Sequence, residues 1–252
     1  LQSEQSYGDY VVKIYRNSES SFEILRDGVH VYGAHGYCFY IGSMDEEDKN
    51  RSLISIGSDI TGDGEPDLVI SEWTGGAHCC YLFHVFEIGK RFRYIQTIDA
   101  QDGGLVYVNI DKDPALEFIL QDWSYAYWKT CFADSPAPQV ILKYNGRSYS
   151  MAPHLMRQKG PSPEKLRKIA ENIKSLPEWH QQEDPPSILW AVMLDLIYTG
   201  NMNQAWSFAD LAWPAKVKGK EQFLKEFRIE LAASPYWEGV KKLNNFQTPL
   251  HR

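Results

Sequence analysis

An internal repeat constrains the fold of this chain more than any other feature of its sequence. The run Asp67-Leu-Val-Ile-Ser-Glu-Trp73 returns fifty residues later as Glu117-Phe-Ile-Leu-Gln-Asp-Trp123. A second parallel relates Gly33–Gly42 to Gly76–Gly89, two segments in which Gly-Ala-His leads through cysteine into an apolar run. Periods of about 45 to 50 residues are typical of propeller blades or stacked arrays. We therefore expect about three copies of a β-rich unit, each with cysteine near the start of an equivalent strand.

The pattern of the chain changes near residue 157. Before this point, short β-branched or alternating runs separated by turn residues predict strands, and after it helical periodicity predicts helices. The predicted strands include Tyr10–Tyr15, Leu68–Ile70, Tyr81–Phe86, Leu105–Val108, Phe118–Leu120 and Val140–Leu142; the predicted helices are Lys165–Lys174, Ile188–Tyr198, Gln204–Trp213 and Glu221–Ala233. The sequence thus predicts an α+β protein. Its β-rich domain, 1–157, would be a partial propeller-like or open sheet array, and its α-helical domain, 158–252, would contain a hairpin whose tryptophans pack in the core.

Composition narrows the class of partner. The 252 residues include 26 Lys and Arg against 33 Asp and Glu, a net charge of −7, which disfavours nucleic acid because phosphate binding depends on clustered basic residues. The longest apolar run, Ile188–Leu194, is far shorter than the roughly 20 residues of a membrane-spanning helix. The polar start without Met and the sparse cysteines favour an exported protein whose leader has been removed, in the periplasm or secreted. The oligomeric state stays open.

The four cysteines suggest two disulfide bonds. Adjacent residues of a strand point to opposite faces, so Cys79 and Cys80 would have different partners. We discount a strained bond within the adjacent pair, so one would pair with Cys38 and the other with Cys131, in two connectivities that the sequence does not separate. Four buried free thiols would instead indicate a cytosolic protein. A metal site formed by His78, Cys79, Cys80 and His35 is the alternative, although its spacing lacks the gap usual between paired cysteine ligands.

The acidic segment 59–67 has the pattern of a cation-binding loop. Oxygen-bearing side chains stand at its positions 1, 3, 5 and 9, two glycines allow a tight turn, and position 7 can offer its carbonyl group. Ca²⁺ prefers six to eight oxygen ligands at this density. An EF-hand would need Glu at position 12, where Ile70 stands, followed by a helix rather than a strand. The expected ligands are Asp59, Thr61, Asp63, the carbonyl of Glu65, and Asp67.

The same segment resembles a known family. The pattern Asp-x-x-Gly-Asp-Gly-x-x-Asp running directly into Leu68–Ile70 is similar to the calcium loop of FG-GAP repeats, which occur in integrin-type β-propellers, and of the related VCBS repeats of exported bacterial proteins. The stretch from Asp59 to Cys80, with Ser135–Leu142 and the Trp-rich C-terminal region, resembles a group of VCBS-repeat bacterial proteins. The resemblance implies calcium ligation by the five residues named above, with Thr61 in place of the usual Asn or Asp. With the aromatic content, it implies a protein or glycan ligand.

A second loop repeats the pattern in altered form. It keeps oxygen-bearing groups at Asn109, Asp111, Asp113 and Glu117 but has Lys112 and Pro114 in place of the two glycines. Proline cannot adopt the positive φ that glycine permits, and lysine adds a competing positive charge. We expect this loop to be degenerate and held by its own hydrogen bonds, so that a second calcium site is doubtful.

Known catalytic motifs are absent from the sequence. It contains no phosphate-binding loop, no dinucleotide fingerprint, no His-Glu-x-x-His and no Gly-x-Ser-x-Gly. Together with this absence, the resemblance implies a non-catalytic, calcium-stabilised binding protein of the bacterial cell envelope. The alternative is a cell-envelope hydrolase that uses Glu72, Asp122 or His78, since paired carboxylates near aromatic rings are typical of glycoside hydrolysis.

Overall fold

A computed structural model describes residues 1–16, 19–42, 54–76, 80–181 and 184–245. Within these ranges the chain forms three antiparallel four-stranded sheets and seven α-helices, which confirms the α+β class. None of the three sheets closes into a barrel.

Each sheet is made of four strands that follow one another along the chain. The first contains β1 (Ser3–Tyr7), β2 (Tyr10–Arg16), β3 (Ser20–Arg26) and β4 (Val29–Gly36); the second β5 (Cys38–Ile41), β6 (Asp67–Trp73), β7 (Tyr81–Ile88) and β8 (Phe92–Asp99); the third β9 (Val106–Val108), β10 (Glu117–Gln121), β11 (Gln139–Tyr144) and β12 (Tyr149–Met151). Strands that are neighbours in sequence are also neighbours in each sheet, so all three are meanders. All six segments predicted to be strands coincide with strands, except that Leu105 precedes the start of β9.

The first two sheets share one hydrophobic core. Strands β2 and β3 bury every second side chain, as expected of strands with one face toward a core. Strand β6 is buried on both faces from Asp67 to Glu72. The fully or almost fully buried core residues are Tyr10, Val12, Ile14, Phe22, Ile24, Phe39, Leu68, Ile70, Phe86 and Ile88. Strand β6, which follows the predicted calcium loop, is thus a central element of this core.

The helices lie mainly where the sequence predicts them. They are α1 (Pro153–Met156), α2 (Pro163–Lys174), α3 (Glu178–Gln181), α4 (Ser187–Tyr198), α5 (Met202–Ala212), α6 (Lys220–Ala233) and α7 (Trp237–Leu243). Ser162 caps α2 by accepting a hydrogen bond from the backbone N–H of Lys165, with proline at the first helical position. Trp190 and Trp213 are buried, which confirms that the hairpin tryptophans mostly pack in the core.

Two compact units divide the chain. One contains residues 1–120 and 142–150, and the other contains residues 121–141 and 151–252. Residues 121–141, which precede the expected division at 157, therefore group with the helices. The boundary passes within strands β11 and β12.

The structure separates the two parallels seen in the sequence. Asp67 and Glu117 begin the second strand of their respective sheets and are equivalent in position. Cys38, by contrast, begins β5, whereas Tyr81 begins β7 of the same sheet, so the expectation of equivalent strands in successive units is wrong for this pair. Both residues pair with Trp73 of the intervening strand β6. The two similar segments therefore lead into the strands on either side of β6, and both strands begin beside Trp73.

Candidate metal centre

The first acidic loop connects β5 to β6 and turns at two glycines. Gly62 and Gly64 have φ angles of 73° and 86°, in the left-handed region that favours glycine. A Cβ atom on Gly62 would lie 2.5 Å from the backbone nitrogen of Ala115, whereas Gly64 has no heavy atom this close. The first glycine is therefore needed for both its conformation and its size, and the second for its conformation alone.

The carboxylates of this loop hold its backbone. Asp59 accepts hydrogen bonds from the N–H groups of Gly62 and Gly64, at 2.7 and 2.9 Å, one on each carboxylate oxygen. Asp63 accepts one from the N–H of Glu65 at 3.0 Å. These bonds wrap the chain around the two carboxylates, as in the Asx turns that Asp residues form.

Asp67 is the last residue of the loop and is completely buried. Its Oδ2 atom accepts hydrogen bonds from the N–H groups of Ile60 and Thr61, both at 2.9 Å, and from the Thr61 hydroxyl at 3.1 Å. Its Oδ1 atom is buried and has no hydrogen-bond partner among the described residues. Burial raises the pKa of Asp67 to about 6, although the bonds from Thr61 and Ile60 act in the opposite direction. The buried, unpartnered Oδ1 is thus available to a ligand.

Two basic side chains near the first loop contact acidic groups other than Asp67. Glu65 faces Lys90, whose N–H and ammonium group contact its two carboxylate oxygens at 3.1 and 3.2 Å. The backbone carbonyl is therefore the group that Glu65 can offer to an ion. Arg93 lies 3.7 Å from Asp63 but forms its shorter ion pair, 2.5 Å, with Glu87.

The second loop, between β9 and β10, has backbone hydrogen bonds and turn angles similar to those of the first loop. The N–H of Ile110 donates to Glu117 Oε2 at 2.7 Å, as the N–H of Ile60 donates to the equivalent Asp67. Lys112, at the position of Gly62, keeps a left-handed φ of 65°. Asn109 donates to the carbonyl of Asp113 at 2.5 Å. The loop therefore retains much of the turn geometry without its glycines.

Three carboxylates of the second loop surround a lysine. Oxygen atoms of Asp111, Asp113 and Glu117 lie within 4.8 Å of one another, the single such His/Cys/Asp/Glu group in the described part of the chain. The Nζ atom of Lys143, from β11, lies 2.5, 2.6 and 2.8 Å from these three carboxylates. Desolvation opposes the lysine charge, but the three hydrogen bonds outweigh it and raise the pKa of Lys143 above its ordinary value. Lys143 is 26 residues from Glu117 in sequence, so the local pattern of residues 109–117 does not point to it.

The two loops contact each other. The N–H of Leu116, in the second loop, donates to the carbonyl of Ile60 in the first at 2.9 Å. The Tyr149 hydroxyl donates to the same carbonyl at 3.0 Å and is buried. Order in the first loop is therefore coupled to the second loop and to strand β12 within the same unit.

The cysteines do not form the expected bridges. Cys38 is buried and Cys131 is exposed, and both thiols are free, whereas each expected connectivity requires both of them in disulfide bonds. Cys38 contacts the Tyr40 hydroxyl at 3.4 Å, and Cys131 contacts Asp134 at the same distance. Cys38 and Cys131 belong to different compact units, and their local partners are noncovalent. Cys79 lies outside the described residues, and Cys80 is not one of the free thiols.

The alternative His/Cys metal site is not seen in the described ranges. His78 and Cys79 fall outside them, and His35 is exposed on β4. In what is described, the acidic group of the second loop is the one set of three His, Cys, Asp or Glu side chains with ligand atoms within 4.8 Å of one another, and it contains no His or Cys.

The carboxylates considered for catalysis each have protein partners. Asp122 is completely buried and accepts hydrogen bonds from Ser124, Tyr198 and Ser234, at distances of 2.5 to 3.0 Å. It also caps the short 3₁₀ helix Trp123–Tyr125. These contacts give Asp122 a structural role in the helical unit.

Glu72 belongs to a polar cluster whose other members, His84 and Thr97, no sequence motif indicates. It lies 3.0 Å from His84 Nε2, and the other ring nitrogen, Nδ1, lies 2.7 Å from the Thr97 hydroxyl. Glu72 and His84 are both 8% exposed, and the rings of Phe22 and Phe39 lie 6.0 and 6.4 Å from the imidazole. Carboxylate, imidazole and hydroxyl are thus joined in series beneath aromatic side chains.

The comparisons with known proteins were negative. No family model, curated protein or solved structure matches this chain. The FG-GAP and VCBS resemblance therefore rests on the loop residues and enters the functional argument as a proposal. Separately, no helix among the described residues has both the length and the apolar character needed to cross a bilayer.

Proposed function

We propose that this chain is an exported, non-catalytic, Ca²⁺-stabilised binding or interaction protein of the bacterial cell envelope, in the periplasm or secreted. The observation that carries the proposal is the buried Oδ1 atom of Asp67 at the base of the first acidic loop, which has no hydrogen-bond partner among the residues that the structure describes. Asp59, Thr61, Asp63 and the carbonyl of Glu65 would complete the ligand set.

Elementary electrostatics favours a cation here. An ionised carboxylate without compensation is costly to bury, by several kcal/mol even after relaxation. Asp67 is fully buried, and its elevated pKa shows that the surrounding protein does not fully compensate its charge. Ca²⁺ takes oxygen ligands at distances of about 2.3 to 2.6 Å in flexible geometry, which suits a loop turned by two glycines. Binding would supply the missing positive charge and a ligand for Oδ1.

The role of the ion would be structural. Asp67 is both the last residue of the loop and the first residue of the buried strand β6, and its N–H donates to the carbonyl of Ser58 at 3.0 Å. Fixing Asp67 therefore fixes the entry of β6 into the core shared by the first two sheets. Because Leu116 bonds to Ile60, the same ion would also steady the entry to β10.

The sheets are compatible with propeller-like units. Each is a meander of four consecutive strands, as propeller blades are, and each acidic loop lies between the first and second strand of its sheet. We infer an array of FG-GAP-like or VCBS-like units in which the first sheet has a tight turn, Gly8–Asp9, in place of the acidic loop. Such arrays are scaffolds on which binding surfaces are displayed.

The ligand would be a protein or a glycan. Tyr37 is 59% exposed and packs edge-on against Trp73 at 5.1 Å between ring centroids. Tyr94 is 43% exposed and stacks on Tyr32 at 5.8 Å. Aromatic side chains held in place by a neighbouring ring offer apolar area at low entropic cost, which suits either class of ligand. The hydrolase alternative has less support, because Glu72 and Asp122 are buried among protein partners.

Thermal unfolding in Ca²⁺ and in EDTA tests the calcium proposal. We expect Ca²⁺ to raise the Tm of the wild-type chain, because a ligand that binds the folded state stabilises it. Asp67→Asn should abolish the rise. Glu65→Gln is the matched control, because it changes a side chain of the same loop but keeps the carbonyl ligand, and its response should equal that of the wild type. A wild-type Tm that is the same in Ca²⁺ and EDTA would show that the segment is only a turn.

A further inference from the structure

A lysine from another strand places a positive charge at the second acidic loop. The Lys143 ammonium group lies within 2.8 Å of an oxygen of each of Asp111, Asp113 and Glu117. Glu117 is completely buried, and the Lys143 side chain is 17% exposed. The lysine arrives from β11, a different strand from the two that flank the loop, so its position is set by the sheet.

The buried acids of the two loops differ in one respect. Glu117 has both carboxylate oxygens bonded, Oε2 by the N–H of Ile110 and Oε1 by Lys143. The equivalent Asp67 has Oδ2 bonded by loop N–H groups, whereas Oδ1 has no partner in the described part of the chain. On the strand that follows β6, the residue paired with Asp67 is Glu87, an acid, which is bound by Arg93. In the second loop, Lys143 therefore partly offsets the acidic charge at the buried carboxylate, where the first loop has no such partner among the described residues.

We propose that Lys143 is the resident cation of the second loop: its ammonium group occupies the centre that a divalent ion would take, and it orders Asp111, Asp113 and Glu117 without calcium. The loop is then neither a vacant calcium site nor a loop held only by its own hydrogen bonds. Its three carboxylates are held by an ammonium group of the protein itself, rather than by an ion from solvent.

This assignment has consequences for ion binding. A tethered ammonium group is present at high effective concentration and is not lost by dilution or chelation, so free Ca²⁺ competes poorly for the same carboxylates. Without Lys143, three carboxylates with oxygens within 4.8 Å would repel one another, and a cation from solution would be favoured. The lysine thus both stabilises the loop and excludes the ion.

The test compares Lys143→Met with Lys143→Arg, using Ca²⁺ alone as the probe. Methionine keeps most of the side-chain length and removes the charge, whereas arginine keeps the charge. Equilibrium dialysis should show about one more ion bound per chain for Lys143→Met than for the wild type, and no gain for Lys143→Arg. In EDTA, the Tm of Lys143→Met should fall below that of the wild type, and Ca²⁺ should restore it.

A second set of variants keeps the proposal testable if Lys143→Met folds poorly. In the wild-type background, Asp111→Asn should leave the amount of bound Ca²⁺ unchanged, because the second loop holds no ion. Loss of an ion in Asp111→Asn, or no gain in a folded Lys143→Met, would overturn the proposal. Each readout is a difference from the wild type. A wild type that binds no Ca²⁺ would refute the proposed function, but the comparison of Lys143→Met with the wild type would still test the present proposal.

Discussion

For Asp67, the sequence pattern predicts a role as an oxygen ligand, and the structure adds its burial. The Asp/Gly pattern of residues 59–67 is sufficient to predict a loop that offers oxygen ligands. It does not show that the last carboxylate is fully buried, or that one of its oxygens has no hydrogen-bond partner among the described residues. Burial depends on strands that are distant in sequence. For the same reason Lys143 was not foreseen: a lysine in a β-branched run is ordinary, and its contact with Glu117 spans 26 residues.

The pH dependence of stability should reveal the environment of Asp67. Its pKa is raised from 3.8 to about 6 in the folded chain. The folded state therefore holds this proton more tightly than the unfolded state, and losing it costs stability. In EDTA, the contribution of Asp67 to the free energy of unfolding should be about 3 kcal/mol well below pH 4 and should be lost as pH rises through about 6.

Urea unfolding at pH 4.5 and 7.5 measures this effect. Asp67→Asn has no proton to lose, so its stability in EDTA should decline less over this interval than that of the wild type. Saturating Ca²⁺ should diminish the wild-type decline, because the ion favours the charged carboxylate. Equal declines for the wild type and the variant in EDTA would contradict the buried, uncompensated charge.

The two glycines of the first loop should differ in their tolerance of alanine. Both have positive φ, which costs a non-glycine residue roughly 1 to 2 kcal/mol. Only Gly62 also has a backbone atom, the nitrogen of Ala115, within 2.5 Å of the added Cβ. Gly62→Ala should therefore destabilise the chain more than Gly64→Ala in chemical denaturation. The reverse order would show that the two loops do not pack as described.

At the level of elements, the strands and helices can be predicted from local sequence patterns, whereas the contacts between strands cannot. Runs such as Tyr10–Tyr15 and Ile188–Tyr198 have the periodicity of the strand and helix that they form. The contact between Glu72 and His84 instead depends on register. Strand β6 pairs Ile70 with His84, which places Glu72 on the diagonal, and β8 pairs Thr97 with His84. A single sequence does not specify that register.

His84 should matter for the stability of the second sheet. His84→Ala removes a partner from both the buried Glu72 and the Thr97 hydroxyl, and an unsatisfied buried polar group costs about 1 to 3 kcal/mol. His35→Ala, at an exposed site on β4, is the control and should change the free energy of unfolding by less than about 0.5 kcal/mol. Equal effects in urea denaturation would remove the structural role assigned to the cluster.

At the level of the whole molecule, the change of pattern near residue 157 predicts the order of strands and helices but differs from the division into compact units. Residues 121–141 group with the helices because their side chains pack there. Asp122 accepts a hydrogen bond from Tyr198 of α4, and the Trp128 ring lies 5.5 Å from that of Trp190. Aromatic residues in a loop give no periodic signal, so this grouping is not visible in the sequence.

The repeat shows a similar limit. The parallel between Asp67 and Glu117 marks equivalent positions in two sheets, because both acids receive an N–H from the second residue of their loop. The parallel through Cys38 marks two strands of one sheet, and the disulfide scheme built on it is not found. A repeat is therefore most informative where the repeated residues have the same hydrogen-bonding role.

Calorimetric titration of the wild-type chain with Ca²⁺ at pH 7.5 tests the central claim most directly. The account predicts one ion bound per chain, with binding lost in Asp67→Asn and retained in Glu65→Gln. No heat of binding and no bound Ca²⁺ in parallel dialysis, for a chain shown to be folded, would contradict it.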